Sequence, residues 1–205
     1  MSVRLVAFDL DGTLLRGETC VQAIARAIGR LDECAAFERL SMRDLEGVTA
    51  AREAMRQWYA AHSTAELMES LDRLEVAPGC AQAFDLLRRH GLQTAIVSLT
   101  WSVAVEHFAA RFGADYFHGT QLLEQGIEHV WPEDKGAWLR ALRCELGLEE
   151  REVAAVGDSE GDRELLEAAT VRFFVGQQPL DGLPGVVHLP GADIFSIAQR
   201  LVADN

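Results

Sequence analysis

Phe8-Asp9-Leu10-Asp11-Gly12-Thr13-Leu14 is the stretch on which the fold turns. It continues the run Val3, Leu5, Val6 and Ala7, which is apolar enough for a strand buried on both faces of a parallel sheet. Gly12 permits the sharp turn that follows. Two carboxylates therefore stand at a strand's carboxyl end, the edge where open α/β sheets bind ligands.

Outward from this stretch the pattern alternates. Pro78-Gly79 opens an amphipathic helix through Phe84, Leu86 and Leu87 to His90, closed by Gly91, and Thr94 to Val97 reads as the next buried strand. A helix from Val103 to Phe112, a short strand near Tyr116-Phe117 and a hairpin-like segment at Gln125-Gly126 follow. Glu133-Asp134 lead into a helix from Lys135 to Leu146; then come a strand at 153–156, a helix from Arg163 to Ala168, and strands at 171–175 and 186–189. This alternation predicts an α/β fold, a Rossmann-like parallel sheet with helices on both faces.

One block breaks the alternation. From about Gly17 to Glu75 the chain is rich in Ala, Arg, Glu, Leu and Met at helical spacing and contains no proline. About 60 residues is long for a connection without a job, so the block is expected to form a small all-helical cap inserted after the first strand, over the edge that carries Asp9. The boundaries expected are 1–15 and 77–205 for the core and 16–76 for the cap.

Composition narrows the classes. Of the 205 residues 49% are hydrophobic and 25% charged, a globular balance. The net charge of −13, from 19 basic and 32 acidic residues, argues against nucleic acid or an anionic membrane as partner. Cys20, Cys34, Cys80 and Cys144 show no CxxC spacing and read as reduced thiols of a cytoplasmic protein. No signal-peptide pattern opens the chain, and no apolar stretch approaches the roughly 20 residues that span a bilayer. A monomer or homodimer is expected.

The chemistry follows from the strand ends. Two carboxylates two residues apart on an extended segment point the same way, and a hard divalent cation, magnesium above all, relieves their repulsion. Asp9 is then placed to attack phosphorus and Asp11 to give and take the proton, although an Asp-Gly turn is also a common way to end a strand. Ser98 follows a strand and precedes a helix, suited to hold a phosphoryl oxygen or simply to cap. Lys135 opens a helix, where a cation opposes the dipole and an anionic partner would explain it; an exposed lysine is the plainer alternative. Gly157-Asp158-Ser159-Glu160-Gly161-Asp162 adds two carboxylates at another strand end, completing a magnesium cage or forming a solvated turn.

Asp9-Leu10-Asp11-Gly12-Thr13, Ser98, Lys135 and the segment 157–162, in this order and over nearly the whole chain, resemble the haloacid dehalogenase-like superfamily of magnesium-dependent phosphohydrolases. The helical insertion resembles its type 1 cap, and the nearest branch is phosphoserine phosphatase. The resemblance implies Asp9 as nucleophile and magnesium ligand, and Asp11 as general acid and base with its backbone carbonyl on the metal. It implies Asp158 as the further ligand, Asp162 as support for the loop, and Ser98, Lys135, Gly12 and Thr13 around the phosphoryl group. Glu18 falls where phosphoserine phosphatases carry a glutamate for the substrate's amino group.

Departures from the branch are also visible. Its second motif commonly reads Ser-Gly-Gly, whereas Ser98 is followed by Leu99-Thr100-Trp101; Gly161 stands where Asn often precedes the final aspartate. The cap arginine expected for a carboxylate aligns with Trp58, leaving Arg52 or Arg56 to serve if the register shifts, with Arg56 taken as the substrate residue. Trp101, beside Ser98, is expected at the substrate as well. The expectation is a magnesium-dependent phosphomonoesterase for a small phosphorylated metabolite, acting through an aspartyl-phosphate, with phosphoserine the leading substrate. The alternatives are a sugar phosphate or nucleotide phosphatase, a phosphotransferase, or a catalytically silent phospho-ligand-binding module.

Overall fold

The computed structural model describes residues 2–203. In chain order the elements are β1 (Leu5–Phe8), β2 (Leu15–Arg16), α1 (Cys20–Ala27), α2 (Leu31–Phe37), α3 (Leu45–Tyr59), α4 (Thr64–Glu69), β3 (Glu75–Val76), α5 (Cys80–Arg89), β4 (Gln93–Trp101) and α6 (Ser102–Phe112). They continue with β5 (Tyr116–Leu123), β6 (Gly126–Glu128), α7 (Pro132–Glu145), β7 (Val153–Gly157), α8 (Arg163–Glu167), β8 (Val171–Phe174), β9 (Val186–His188) and α9 (Ile194–Ala203).

Seven strands form one sheet in the order β6-β5-β4-β1-β7-β8-β9. All neighbours are parallel except the hairpin partners β5 and β6. The period-2 alternation of strand side chains divides the interior in two. Val6, Phe8, Ile96, Ala154 and Val156 face one layer with Phe84, Phe108, Ile194 and Ile197 from α5, α6 and α9. Leu5, Ala7, Ala95, Val97, Val153 and Ala155 face the other, with Leu139 of α7 and Leu165 and Leu166 of α8. The chain is thus α/β, a mostly parallel sheet covered on both faces.

Register sets the functional edge. Phe8 pairs with Ile96 on one side and Val156 on the other, and Asp9 N–H donates to the Val156 carbonyl at 2.9 Å. Two residues beyond these partners, Ser98 and Asp158 therefore flank the central strand's carboxyl end.

The connection between β2 and β3 is helical, carrying α1 to α4 and a 3-10 turn at Ser70–Arg73. Leu15 and Arg16 pair antiparallel with Val76 and Glu75, so a two-stranded ribbon joins the segment's two ends. Its buried side chains, among them Ile24, Met55, Tyr59, Leu67 and Leu71, belong to the same apolar cluster as Phe8 and Trp101.

Several elements differ from the sequence reading, among them the β2–β3 ribbon, β5, which runs on to Leu123, and β4, α7 and α9. β4 continues past Val97 to Trp101, with irregular pairing to β5 between those residues, because Thr94 to Trp101 stay extended through Ser98. α7 begins at Pro132, which suits the first helical position. The Asp134 carboxylate accepts from Trp131 N–H at 2.8 Å, capping that end. α9 is a helix for which the sequence reading has no counterpart, although Ile194, Ile197, Ala198 and Leu201 carry the buried stripe expected of one.

Candidate active site

Lys135 binds the strand ends together. It lies in the first turn of α7 and is 1% exposed, with Nζ 2.6 Å from Asp9 Oδ1 and 2.5 Å from Asp162 Oδ1. Burial alone would lower the lysine pKa, but Asp162 and Asp9 outweigh it and raise it. Its unfavourable position against the helix dipole is thus explained by two carboxylates.

Asp162 is fully engaged. One oxygen takes Lys135; the other accepts from Asp158 N–H and Ser159 N–H at 3.0 Å each, and from Ser159 Oγ at 3.2 Å. The loop after β7 is folded around this carboxylate, which holds Asp158 in place. On the opposite side Thr13 Oγ1 donates to Asp158 Oδ1 at 3.2 Å. Gly12, at φ +93°, packs its α-carbon where any Cβ would overlap the Asp158 carboxylate. The Arg16 guanidinium donates to the Gly12 carbonyl and fixes that turn.

Asp9, Asp158 and Asp162 each offer an oxygen within 4.8 Å of the others. Burial, then the charges of Asp162 and Asp158, push Asp9 well above the usual carboxylate range despite Lys135. Burial and Asp162 raise Asp158 to about 6. Two carboxylates whose ionised forms are disfavoured by each other and by desolvation are a fitting donor set for a hard divalent cation. With Asp162 already saturated, Asp9 and Asp158 are the pair with oxygens to give.

Asp11 has a different environment. Its Oδ1 accepts from Cys20 N–H at the start of α1, at 2.8 Å, while burial raises its pKa to about 6. A carboxyl poised near neutrality fits proton transfer. It lines a cavity of about 390 Å³ between the helical segment and the sheet edge, together with Thr19, Glu38, Arg52, Thr100 and Ser159. The apolar wall includes Phe37, Val48, Met55 and Trp101.

The structure brings together some expected residues and disperses others. Asp9, Asp158, Asp162, Lys135, Gly12 and Thr13 converge. Ser98 is buried at the same edge, its Oγ accepting from Thr100 N–H at 3.3 Å. Trp101 is on the cavity wall, with its ring nitrogen donating to Tyr59 Oη at 3.2 Å. Glu18 instead pairs with Arg26 at 2.8 Å and faces a separate cavity with Glu66, Glu69 and Arg73. Arg56 pairs with Glu53 on its own helix, and Trp58 stacks on Phe37.

Arg52, Glu38 and Thr100 occupy the cavity wall in their place. Arg52 shares a helical face with the buried Val48, Met55 and Tyr59, so a cation on an apolar stripe was its signal. It donates to the carbonyls of Leu99 and Val130 and meets His129 Nδ1 at 3.1 Å. Glu38 accepts from Thr19 Oγ1 at 2.7 Å and from the Gln22 amide. Nothing in the local pattern marks Glu38, which lies just past α2.

The sequence pattern of the haloacid dehalogenase-like hydrolases matches residues 6–167. The chain belongs to that family. Among curated relatives, phosphoserine phosphatase of Albidiferax ferrireducens is 31% identical over 182 residues, covering 81% of this chain and 76% of the relative. That of a Polaromonas species is 30% identical over 192 residues, covering 86% and 80%. A solved substrate-bound phosphoserine phosphatase complex has the same fold, with a TM-score of 0.79 at 18% identity over 98% of this chain and 99% of that one. Within the haloacid dehalogenase-like hydrolases the protein is a phosphatase of the phosphoserine phosphatase-like branch. Among the described residues no helix is long and apolar enough to cross a membrane.

Proposed function

We propose that this haloacid dehalogenase-like phosphatase hydrolyses a small phosphomonoester through an aspartyl-phosphate on Asp9, with magnesium held by Asp9, Asp158 and the Asp11 carbonyl. The observation that carries the reading is Lys135, buried between Asp9 and Asp162, with Asp11, two residues after Asp9, lining a cavity. A bound magnesium ion would neutralise the phosphoryl oxygens and the ligating carboxylates.

The protein's own groups do the rest. An Asp9 oxygen attacks phosphorus, and Asp11, whose pKa burial raises to about 6, gives its proton from the protonated form to the departing alcohol. The resulting Asp11 carboxylate then removes a proton from the water that attacks the phosphoryl-aspartate, releasing phosphate and restoring both groups. Lys135 and the Ser98 hydroxyl steady charge on the transferring group. Residues 16–76 act as the cap that closes the cavity over this edge and selects the leaving group.

Phosphoserine is the leading substrate, supported by the names of the relatives. The pairing of Glu18 with Arg26 favours a second reading, another phosphorylated acid that needs no partner for an ammonium group. A phosphate-release screen over several hundred metabolites tests both. It is expected to show magnesium-dependent hydrolysis that a chelator stops and Asp9→Asn removes. Full activity in Asp9→Asn would exclude the mechanism, and O-phosphoserine no better than unrelated esters would remove that substrate.

A further inference from the structure

Arg52 spends its charge on the protein itself. It is 8% exposed in the middle of α3, and burial draws its pKa down to about 10, so its contacts must offset the water it has lost. Four partners do this. Nη2 donates to the carbonyls of Leu99 and Val130 at 3.0 and 3.2 Å, and Nη1 donates to His129 Nδ1 at 3.1 Å. The guanidinium carbon lies 4.9 Å from the centre of the Trp131 ring, which itself stacks on His129 with ring centres 5.2 Å apart. A planar fork donates from its edge and stacks on its face at once, which a lysine ammonium cannot do.

None of the four partners belongs to the helical segment that carries Arg52. They lie on two stretches of the core: Leu99 directly follows Ser98 on β4, and residues 129–131 lead into α7, whose first turn holds Lys135. Thr120 of β5 joins the same two stretches, its Oγ1 donating to the Leu99 carbonyl at 2.9 Å and accepting from Val130 N–H at 3.1 Å. The Leu99 carbonyl thus takes one donor from the core and one from the helical segment. We infer that Arg52 is a positioning residue for phosphoryl transfer: it clamps the Leu99 and Val130 carbonyls and so sets the spacing of Ser98 and Lys135 across the sheet edge. The inference rests on the phosphatase reading of Ser98 and Lys135. It gives Arg52 no contact with substrate, and it makes the seating of the helical segment part of the catalytic geometry even for an ester that offers the segment nothing to recognise.

The test uses p-nitrophenyl phosphate, an ester without a carboxylate, with magnesium and the parent, Arg52→Ala and Arg52→Lys proteins. In Arg52→Ala kcat is expected to fall about tenfold or more while KM stays within about twofold, because small displacements of reacting groups are costly. Arg52→Lys keeps the charge and loses the fork, so it should stay nearly as slow, and it carries the comparison should the alanine variant not fold. Guanidinium ion at millimolar concentration should restore part of the rate to Arg52→Ala. Hydrogen exchange read by mass spectrometry needs no turnover: peptides holding Leu99 to Trp101 and Val130 to Lys135 should exchange faster in both variants, with β8 and α9 at the parent's rates. A parent-like kcat in either variant, a loss confined to KM, or unchanged exchange at the two stretches would each overturn the clamp. Failure of the parent protein to hydrolyse the ester counts against the phosphatase reading, whereas the exchange pattern still decides the role of Arg52.

Discussion

Lys135 and Asp9 touch each other, yet their replacement should have opposite effects on stability. Removing the buried ammonium in Lys135→Met leaves Asp9 and Asp162 facing each other without compensation, a loss of about 3–5 kcal/mol for a broken buried ion pair. Asp9 is the reverse case. Its pKa is raised by burial and by Asp162 and Asp158, so its ionised form destabilises the metal-free protein at neutral pH. Asp9→Asn should therefore melt no lower than the parent in the presence of a chelator, while phosphate release falls to background. Urea midpoints and phosphate assays on the two variants check this, and a large destabilisation by Asp9→Asn would contradict the charge balance described. At this scale the sequence was most legible where a residue's place follows from its element. Asp9, Asp158 and Lys135 stand at strand ends or a helix start that local pattern locates. Glu18 and Arg52 were not legible in that way, because the face a helix turns toward the sheet depends on packing across the molecule. Four residues separate Arg52 from Arg56, yet one is buried on the cavity and the other is paired with Glu53.

The contact between α7 and α8 positions the lysine. Gly136, the residue after Lys135, packs against the backbone carbonyl of Glu164, where an added Cβ would overlap. Gly136→Ala must push α7 away from α8, carrying Lys135 from the Asp9 carboxylate. The expected result is a drop in melting temperature together with a fall in kcat of about tenfold or more, since an ångström of misplacement is costly to catalysis. Unchanged kcat would show that the helix contact does not set the lysine. Most elements were readable because apolar runs and Gly or Pro punctuation agree with the fold. The exceptions have local causes. Ser98 and Thr100 interrupt the apolar pattern of β4 with polar side chains that are nevertheless buried, so the sequence reading ends the strand at Val97. α9 follows a stretch rich in Gly and Pro, and its apolar stripe packs on α5 and closes one layer of the core.

Across the whole molecule the acids at the sheet edge link folding to pH. Asp11 and Asp158 have pKa values near 6 in the folded protein against 3.8 ordinarily, and Asp9 is shifted in the same direction. Between those values the folded protein holds more protons than the unfolded chain, so stability falls as pH rises through that window. Chelator-treated protein should melt higher at about pH 5 than at about pH 7.5, and magnesium should recover the loss at the higher pH by binding the ionised carboxylates. A melting temperature independent of magnesium at neutral pH would contradict the cation site. The central claim, that Asp9 carries the phosphoryl group, has a direct test. Protein mixed with magnesium and a hydrolysed ester is quenched in acid within the first turnover, digested and analysed by mass spectrometry. A phosphoryl group on the peptide that contains Asp9, absent from Asp9→Asn, is the predicted result; turnover with no adduct there, or with the adduct on another residue, would contradict it.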